Sequence, residues 1–552
     1  MADYRQTYNI WLKRAKDEAV LKSLKSMTDG EKRDAFGKDL EFGTAGLRGI
    51  MSAGTDRMNV YTVYRATEGL ARYMEDRGMT TCAVTYDSRL NSKLFGELAA
   101  GVLARRGITT YITKECMPTP FISYMIRQLD CDVGINVTAS HNPSDYNGYK
   151  VYDGSGCQLL DEAAKEVTSY INDVDMFEKD LPVFGEYLGK NVFYVDDELE
   201  QRYIDRVLQE SLCSAEGLSV VYTPLNGAGY RIVPEALKRL GVAEINVVAE
   251  QSMPDGHFAT CPYPNPEKRE ALNLAVKLAE EKNADIVIAN DPDSDRLGVA
   301  VKAGGQYVQL TGNEVGVLLC DYVLAKLSAQ GKLPEKPVIV KTIVTTIMVD
   351  DVANKYGAEV KNVLTGFKYI GDAVNKLEKH GEADRFVFGF EESCGYLKGS
   401  YVRDKDGVVG AVLIAECAAF YKKQGKTLFD RLSELYDETG HYYLDTVSYR
   451  FDGAKGEKIK NELLSELRRK PFAQLGGSEV VNVCDYLTQT ETDLPKSNVL
   501  RFNSKDGSQL IVRPSGTEPL IKCYVAIKGE EDGNARREAI RRQIDDCFLR
   551  KG

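Results

Sequence analysis

Apolar positions along this chain follow two rhythms in alternation. A short β-branched run gives way to a loop marked by glycine or proline. The loop then leads into a stretch whose apolar side chains share one helical face. Leu218 to Tyr222 is a run of the first kind, followed by Thr223-Pro224-Leu225-Asn226-Gly227 and a helix-like stretch to Leu240. Residues 267–282, EKREALNLAVKLAEEK, keep the helical spacing and lead straight into Asp285-Ile286-Val287-Ile288-Ala289, a run fit for a buried parallel strand. Pro337 to Val344 reads as strand, 346–356 as helix, Glu359 to Val363 as strand and 367–380 as helix. This alternation predicts α/β domains with largely parallel sheets.

Toward the C-terminus the rhythm changes. Tyr442 to Phe451 is strand-like, 456–469 helical, and Val499 to Val512 reads as a hairpin turning at Lys505-Asp506-Gly507. A strand at Ile521 to Ile527 and a charged helix from Asn534 complete an α+β pattern. Residues up to about 35 read as helical scaffold and include Trp11, the only tryptophan. At 552 residues the chain is too long for one core. The divisions expected are 1–208, 209–318, 319–436 and 437–552. No low-complexity linker marks them, which predicts domains packed around a shared cleft.

Composition narrows the classes of function. Hydrophobic residues make up 43% and charged residues 28%, as in ordinary globular chains. Lys+Arg of 71 against Asp+Glu of 82 gives a net charge of −11, which argues against a nucleic-acid partner and leaves room for a local basic pocket. The first residues lack the apolar core of a signal peptide, and no run of ~18 apolar residues occurs. A cytoplasmic protein with no membrane partner is the expectation. The twelve cysteines include no CxxC pair, and the closest two, Cys116 and Cys131, lie fifteen positions apart. Buried free thiols are therefore expected in place of zinc ribbons or redox pairs.

Three apolar strands each run into a loop dense with reactive side chains, and ligands bind at such strand ends in open α/β sheets. Val133 to Val137 leads into Thr138-Ala139-Ser140-His141-Asn142-Pro143. Ser140 and His141 are not read as a hydrolase pair, because adjacent side chains usually point apart and no GxSxG elbow is present. The second loop, Asp291-Pro292-Asp293-Ser294-Asp295-Arg296, sets three carboxylates at alternate positions, able to converge on one hard cation. Arg296 and Lys302 occupy positions where an EF-hand requires glycine and glutamate, so that motif is excluded. The third, Phe390-Glu391-Glu392-Ser393-Cys394-Gly395, offers carboxylates and a hydroxyl suited to vicinal sugar hydroxyls. The fourth, Arg513-Pro514-Ser515-Gly516-Thr517-Glu518-Pro519, has the donors of a phosphate cradle. Gly425-Lys426-Thr427 mimics the end of a Walker A loop, but Phe420 replaces the upstream glycine.

In this order the segments resemble the α-D-phosphohexomutase superfamily. TASHNPSDYNGYK (138–150) is similar to its phosphoserine loop, DPDSDR (291–296) to its metal loop, FEESCG (390–395) to its sugar loop and RPSGTEP (513–519) to its phosphate loop. FGTAGLRG (42–49), YTPLNGAG (222–229), LTGNE (310–314) and TGFKYIG (365–371) also look like family segments, and the extended N-terminus together with FGTAGLRG resembles the type-2 phosphoglucomutase-like branch. The resemblance implies three related α/β domains and a C-terminal α+β domain around a central cleft. It implies a phosphorylated Ser140, with Asp291, Asp293 and Asp295 holding one Mg²⁺ against the phosphate. Arg48, Lys150 and Arg296 would surround the reacting phosphate, with Lys150 or His141 moving a proton. Thr44, Lys368, Glu391 and Ser393 would bind the sugar, and Arg513, Ser515, Gly516 and Thr517 the idle phosphate. Pro292, Ser294, Asn226, Cys394 and Phe390 depart from common family residues and bear on substrate preference.

The chemistry so implied is phosphoglucomutase action through glucose 1,6-bisphosphate, with some phosphomannomutase activity, by a monomer or homodimer acting on a small hexose phosphate. Closure of the C-terminal domain over the sugar would keep water out. Mannose or pentose phosphate as the main substrate, and a Mg²⁺-dependent sugar phosphatase, are the competing readings.

Overall fold

The computed structural model describes residues 3–43, 46–451, 453–515, 520–529 and 533–549. A six-stranded sheet holds β1 (Leu47–Ile50), β2 (Thr81–Tyr86), β3 (Thr109–Ile112), β4 (Val133–Val137), β5 (Tyr146–Asp153) and β6 (Val192–Tyr194), in the spatial order β1-β5-β4-β2-β3-β6. The second sheet has β7 (Ser219–Thr223), β8 (Glu244–Val247), β9 (Ile286–Asn290), β10 (Leu297–Ala303) and β11 (Gln306–Leu310), in the order β11-β10-β9-β7-β8. The third holds β12 (Val338–Thr342), β13 (Glu359–Val363), β14 (Phe386–Glu391) and β15 (Gly395–Lys398), in the order β13-β12-β14-β15.

One unit recurs in all three sheets. A central strand is followed by a helix and a parallel neighbour on one side, then by a second helix and a parallel neighbour on the other. A short loop then returns the chain as an antiparallel strand. The units are β2–β5, β7–β10 and β12–β15. The loops with reactive side chains are the three equivalent returns after β4, β9 and β14. VGINV, IVIAN and FVFGFE are buried along their whole length, as strands covered on both faces must be. The sheets are mixed because a connection this short can join only antiparallel neighbours.

The fourth sheet is antiparallel throughout, with β16 (Tyr442–Arg450), β17 (Gln474–Leu475), β18 (Ser478–Asp485), β19 (Leu500–Ser504), β20 (Gln509–Pro514) and β21 (Leu520–Lys528). Helices Gly453–Arg469 and Gly533–Phe548 cover it, with Leu463, Leu467, Ile540 and Ile544 buried in its core. This is the α+β unit that the changed rhythm predicts. The expected division at 318 falls inside helix Gly312–Ala329, which starts from a capping box of Thr311 and Glu314. Helix propensity runs unbroken there, so composition gives no sign of where one sheet ends and the next begins.

A continuous apolar core joins helix Thr119–Leu129 to the second and third sheets, with Phe121, Tyr203, Val220, Ile288, Phe388 and Leu413 among its members. The C-terminal unit meets the third through a smaller cluster that includes Ile343, Leu364, Tyr486 and Tyr524. Trp11 is 1% exposed and stacks edgewise on Phe36, Tyr61 and Phe177, fixing the N-terminal helices to the first unit. All twelve cysteines are free and ten are buried. Among the described residues no helix is long and apolar enough to cross a membrane.

Candidate active site

The return loops of the first two units meet at one point. Ser140 follows β4 in left-handed backbone (φ 52°) and is 3% exposed. Its hydroxyl donates to Asp291 Oδ2 at 2.8 Å. Asp291, Asp293 and Asp295 are fully buried, and each presents an oxygen within 4.8 Å of the other two. Burial, then repulsion from Asp293 and Asp295, holds the Asp291 carboxyl well above the usual range. Asp293 titrates below that range. Burial opposes this shift, but Lys150, Lys405 and the Thr119 hydroxyl outweigh it. Oδ1 of Asp293 and of Asp295 is buried with no hydrogen-bond donor. Three convergent carboxylates with unsatisfied oxygens and no nitrogen or sulfur ligand fit a hard divalent cation such as magnesium.

The metal loop is gripped along its backbone. The Pro292 carbonyl accepts from Ala228 N–H at 2.8 Å, Asp293 from Thr119 N–H at 2.7 Å and Ser294 from Gly407 N–H at 3.1 Å. Those donors belong to three different parts of the fold. Close approach demands glycine at two positions. A Cβ on Gly227 would stand 2.4 Å from Pro292 Cα, and one on Gly407 would stand 2.5 Å from both Asn290 Nδ2 and the Ser294 carbonyl.

Cations ring the carboxylates. Lys150 Nζ lies 3.2 Å from Asp293 Oδ2 and 3.5 Å from Asp295 Oδ2. Lys405 Nζ lies 2.8 Å from Asp295 Oδ2. Arg296 gives its N–H to Asp291 Oδ1 at 2.9 Å, and its guanidinium pairs with Glu267. Arg48, opposite Gly148 on β1, donates to Asn142 Oδ1 at 3.1 Å. His141 Nδ1 is 3.2 Å from Ser140 Oγ, and burial together with Arg296 and Arg48 keeps its imidazole neutral.

The third return loop supplies Glu391, which accepts from Gly366 N–H at 2.9 Å. Burial, then the neighbouring Glu392, pushes its pKa up to about 7. Glu392 takes the Thr342 and Thr345 hydroxyls at 3.3 Å each, and Ser393 is half-buried. Lys368 is buried with Nζ 2.5 Å from Asp161 Oδ1, and Tyr369 donates to the other oxygen at 2.9 Å. Arg513 is half-buried on β20, and Ser515 N–H donates to the Leu520 carbonyl at 2.8 Å. Thr44, Gly516 and Thr517 lie outside the described residues.

One reading from sequence needs correction. The Ser140 and His141 side chains do not point apart: the left-handed φ at Ser140 breaks the alternation of an extended chain and brings them into contact. Asn226 spends its side chain on the 250–253 turn, donating to the Met253 carbonyl at 2.9 Å, and φ 58° suits asparagine. Lys405 went unnoticed in the sequence, where only its place in Arg403-Asp404-Lys405-Asp406 could have drawn attention to it. Asp161 was missed because it is remote in sequence from Lys368 and Tyr369, which it holds.

Four family models match in order: Phosphoglucomutase/phosphomannomutase alpha/beta/alpha domain I over residues 39–177, domain II over 201–305, domain III over 311–439 and the C-terminal domain over 466–543. A protein with this fold and acidic site is an isomerase of the phosphohexomutase class. A phosphoglucomutase of Staphylococcus aureus (strain MRSA252) is 36% identical over 535 residues, covering 94% of this chain and 95% of the relative. A phosphoglucomutase/phosphomannomutase family protein from Burkholderia thailandensis shares the fold at TM-score 0.68 and 19% identity, over 92% of this chain and 97% of that one. The phosphoprotein pp63/parafusin of Paramecium, solved in an open form, does so at 0.68 and 18%, over 92% and 94%. The chain belongs to the phosphoglucomutase/phosphomannomutase family.

Proposed function

We propose that this chain interconverts glucose 1-phosphate and glucose 6-phosphate through a phosphoserine at Ser140 and a glucose 1,6-bisphosphate intermediate, with some activity on mannose phosphates. The observation that carries the reading is the Ser140 hydroxyl bonded to Asp291 of the triad, inside a ring of cations. The name of the Staphylococcus aureus relative supports glucose as the sugar.

Asp291, Asp293, Asp295 and an oxygen on Ser140 would hold one magnesium ion. When bound, magnesium neutralises charge on the transferring phosphoryl group. In the first half-reaction a sugar hydroxyl oxygen attacks phosphorus in line and the Ser140 Oγ–phosphorus bond breaks. The bisphosphate turns end for end. Ser140 Oγ then attacks the opposite phosphorus, and the bond from phosphorus to the sugar oxygen breaks. Each half-reaction moves one proton from the attacking to the leaving oxygen. His141 Nδ1 is the group placed to serve the serine end, since Lys150 is committed to two carboxylates. Arg48 and Arg296 face the reacting phosphate. Thr44, Lys368, Glu391 and Ser393 hold the sugar, and Arg513, Ser515, Gly516 and Thr517 hold the idle phosphate.

Intact-mass and peptide analysis after exposure to glucose 1,6-bisphosphate and magnesium tests the reading. One phosphoryl group on the Ser140 peptide, discharged by excess glucose 6-phosphate, is expected. Phosphate on Asp291 or Asp293 instead would replace the mutase with a phosphatase mechanism.

A further inference from the structure

Both main-chain polar groups of Ser140 end on a single buried ion pair outside the metal site. Ser140 N–H donates to Thr138 Oγ1 at 2.8 Å, and that hydroxyl lies 2.7 Å from Asp87 Oδ2. Its other carboxylate neighbour, Asp293 Oδ2, stands farther off at 3.2 Å. The Ser140 carbonyl accepts from Arg89, whose Nε is 3.3 Å from Asp87 Oδ2. Neither side chain of the pair is exposed to solvent.

Arg89 aims its remaining hydrogen bonds at the same loop. Nη2 also donates to the Asn142 carbonyl at 2.5 Å, and Nη1 donates to those of Pro143 at 2.8 Å and Tyr146 at 3.3 Å. Its guanidinium lies 5.0 Å from the Phe258 ring of the second unit. A Cβ on Gly256 would stand 2.4 Å from Leu90 N, so the turn carrying Phe258 leaves the 87–90 segment no room to shift. Asp87 is fixed in turn by the Ser92 hydroxyl at 2.6 Å and by Arg89 N–H at 2.9 Å.

We propose that Arg89, anchored by Asp87, is a positioning residue for phosphoryl transfer: it holds Ser140 in its left-handed conformation, so that Oγ faces Asp291 and His141. The proposal rests on Ser140 being the phosphoryl carrier. Left-handed backbone disfavours a non-glycine residue. A guanidinium drawing four carbonyls to one side supplies the counterweight, and a buried charge serving one loop is strongly directional. Arg89 touches no reacting atom, so its loss acts on the orientation of Oγ and leaves the sugar-binding loops in place.

The experiment compares full-length wild type, Arg89→Lys, Arg89→Ala, Asp87→Asn and Ser140→Ala in steady-state turnover of glucose 1-phosphate with magnesium and glucose 1,6-bisphosphate. Thermal unfolding is followed in parallel. Arg89→Lys and Asp87→Asn should lower kcat by ~10²-fold or more, the scale on which misplacement acts, with KM within about threefold of wild type. Millimolar guanidinium should restore part of the Arg89→Ala activity and leave Arg89→Lys unchanged. If Arg89→Ala does not fold, the kcat and KM of the other two decide. Turnover within threefold of wild type in Arg89→Lys and Asp87→Asn, or kcat and KM worsening together with thermal stability and no guanidinium rescue, overturns the proposal. Undiminished turnover in Ser140→Ala would instead overturn the phosphoserine reading beneath it.

Discussion

At the scale of single residues, the carboxylate triad was legible because its spacing is itself the chemistry, whereas Ser140 stood out only through the resemblance of its loop to a family segment. Alternate aspartates after a buried strand have few uses other than a cation. Their partners were illegible because each comes from a remote segment. Lys405 reaches Asp295 from beyond β15, and Asp161 takes Lys368 from the start of a helix in the first unit. Phe390 likewise packs against a remote residue, Gly316 of the helix that starts the third unit. Its ring occupies the space a Cβ on Gly316 would need, 2.1 Å away. Two substitutions follow from this geometry. His141→Gln should lower kcat by roughly 10²-fold, the lower end of proton-transfer contributions, with circular dichroism unchanged. Lys405→Met removes the 2.8 Å partner of Asp295 and should cost at least about tenfold in kcat, ~1.4 kcal/mol of transition-state stabilisation. Wild-type kcat in either would remove that residue from the mechanism.

At the scale of elements, the three equivalent return loops share a feature that no periodicity discloses. Ser140, Ser294 and Cys394 all have left-handed backbone, with φ of 52°, 51° and 64°, and all are at most 3% exposed. Sequence located the strands that lead into these loops, since VGINV, IVIAN and FVFGFE are buried runs. It did not separate the antiparallel returns from parallel strands, because β5 is buried along most of its length and lacks the usual alternation. Strained turns persist only where the surroundings over-determine them. Here the surroundings are close-packed backbone. Gly407→Ala would press a methyl group onto Asn290 and Ser294 beneath the metal loop. It should destabilise the protein by about 1–3 kcal/mol, the usual penalty for overpacking, and raise the magnesium concentration needed for half-maximal activity. Urea unfolding and a magnesium titration measure the two effects, and a neutral substitution would mean that the loop is free to relax.

At the scale of the whole molecule, polar side chains join units that sequence treats as separate. Glu416, on helix Gly407–Lys422, accepts the Ser211 hydroxyl at 2.5 Å and Leu212 N–H at 2.9 Å from the segment entering the second unit. Burial pushes its pKa from 4.5 up to about 7, against the pull of those donors and of Lys398. The folded protein therefore binds more protons than the unfolded chain across that window. This contribution to stability is fully present below the unfolded value and is lost as pH rises through the folded one. Relative to Glu416→Gln, the wild-type urea midpoint should fall between about pH 4.5 and 7 and level off above. A constant offset would show that Glu416 stays ionised. The four-part order was readable from changes of rhythm, but helix Gly312–Ala329 crosses the expected division at 318 without a break in composition.

Formation of glucose 6-phosphate from glucose 1-phosphate, coupled to a dehydrogenase and run with magnesium and catalytic glucose 1,6-bisphosphate, bears most directly on phosphoserine catalysis at Ser140. Mannose 1-phosphate and Ser140→Ala belong in the same experiment. Turnover that depends on the bisphosphate, favours glucose over mannose and is abolished in Ser140→Ala is the expected result. Release of inorganic phosphate in place of the isomer, at a rate unchanged in Ser140→Ala, would contradict it.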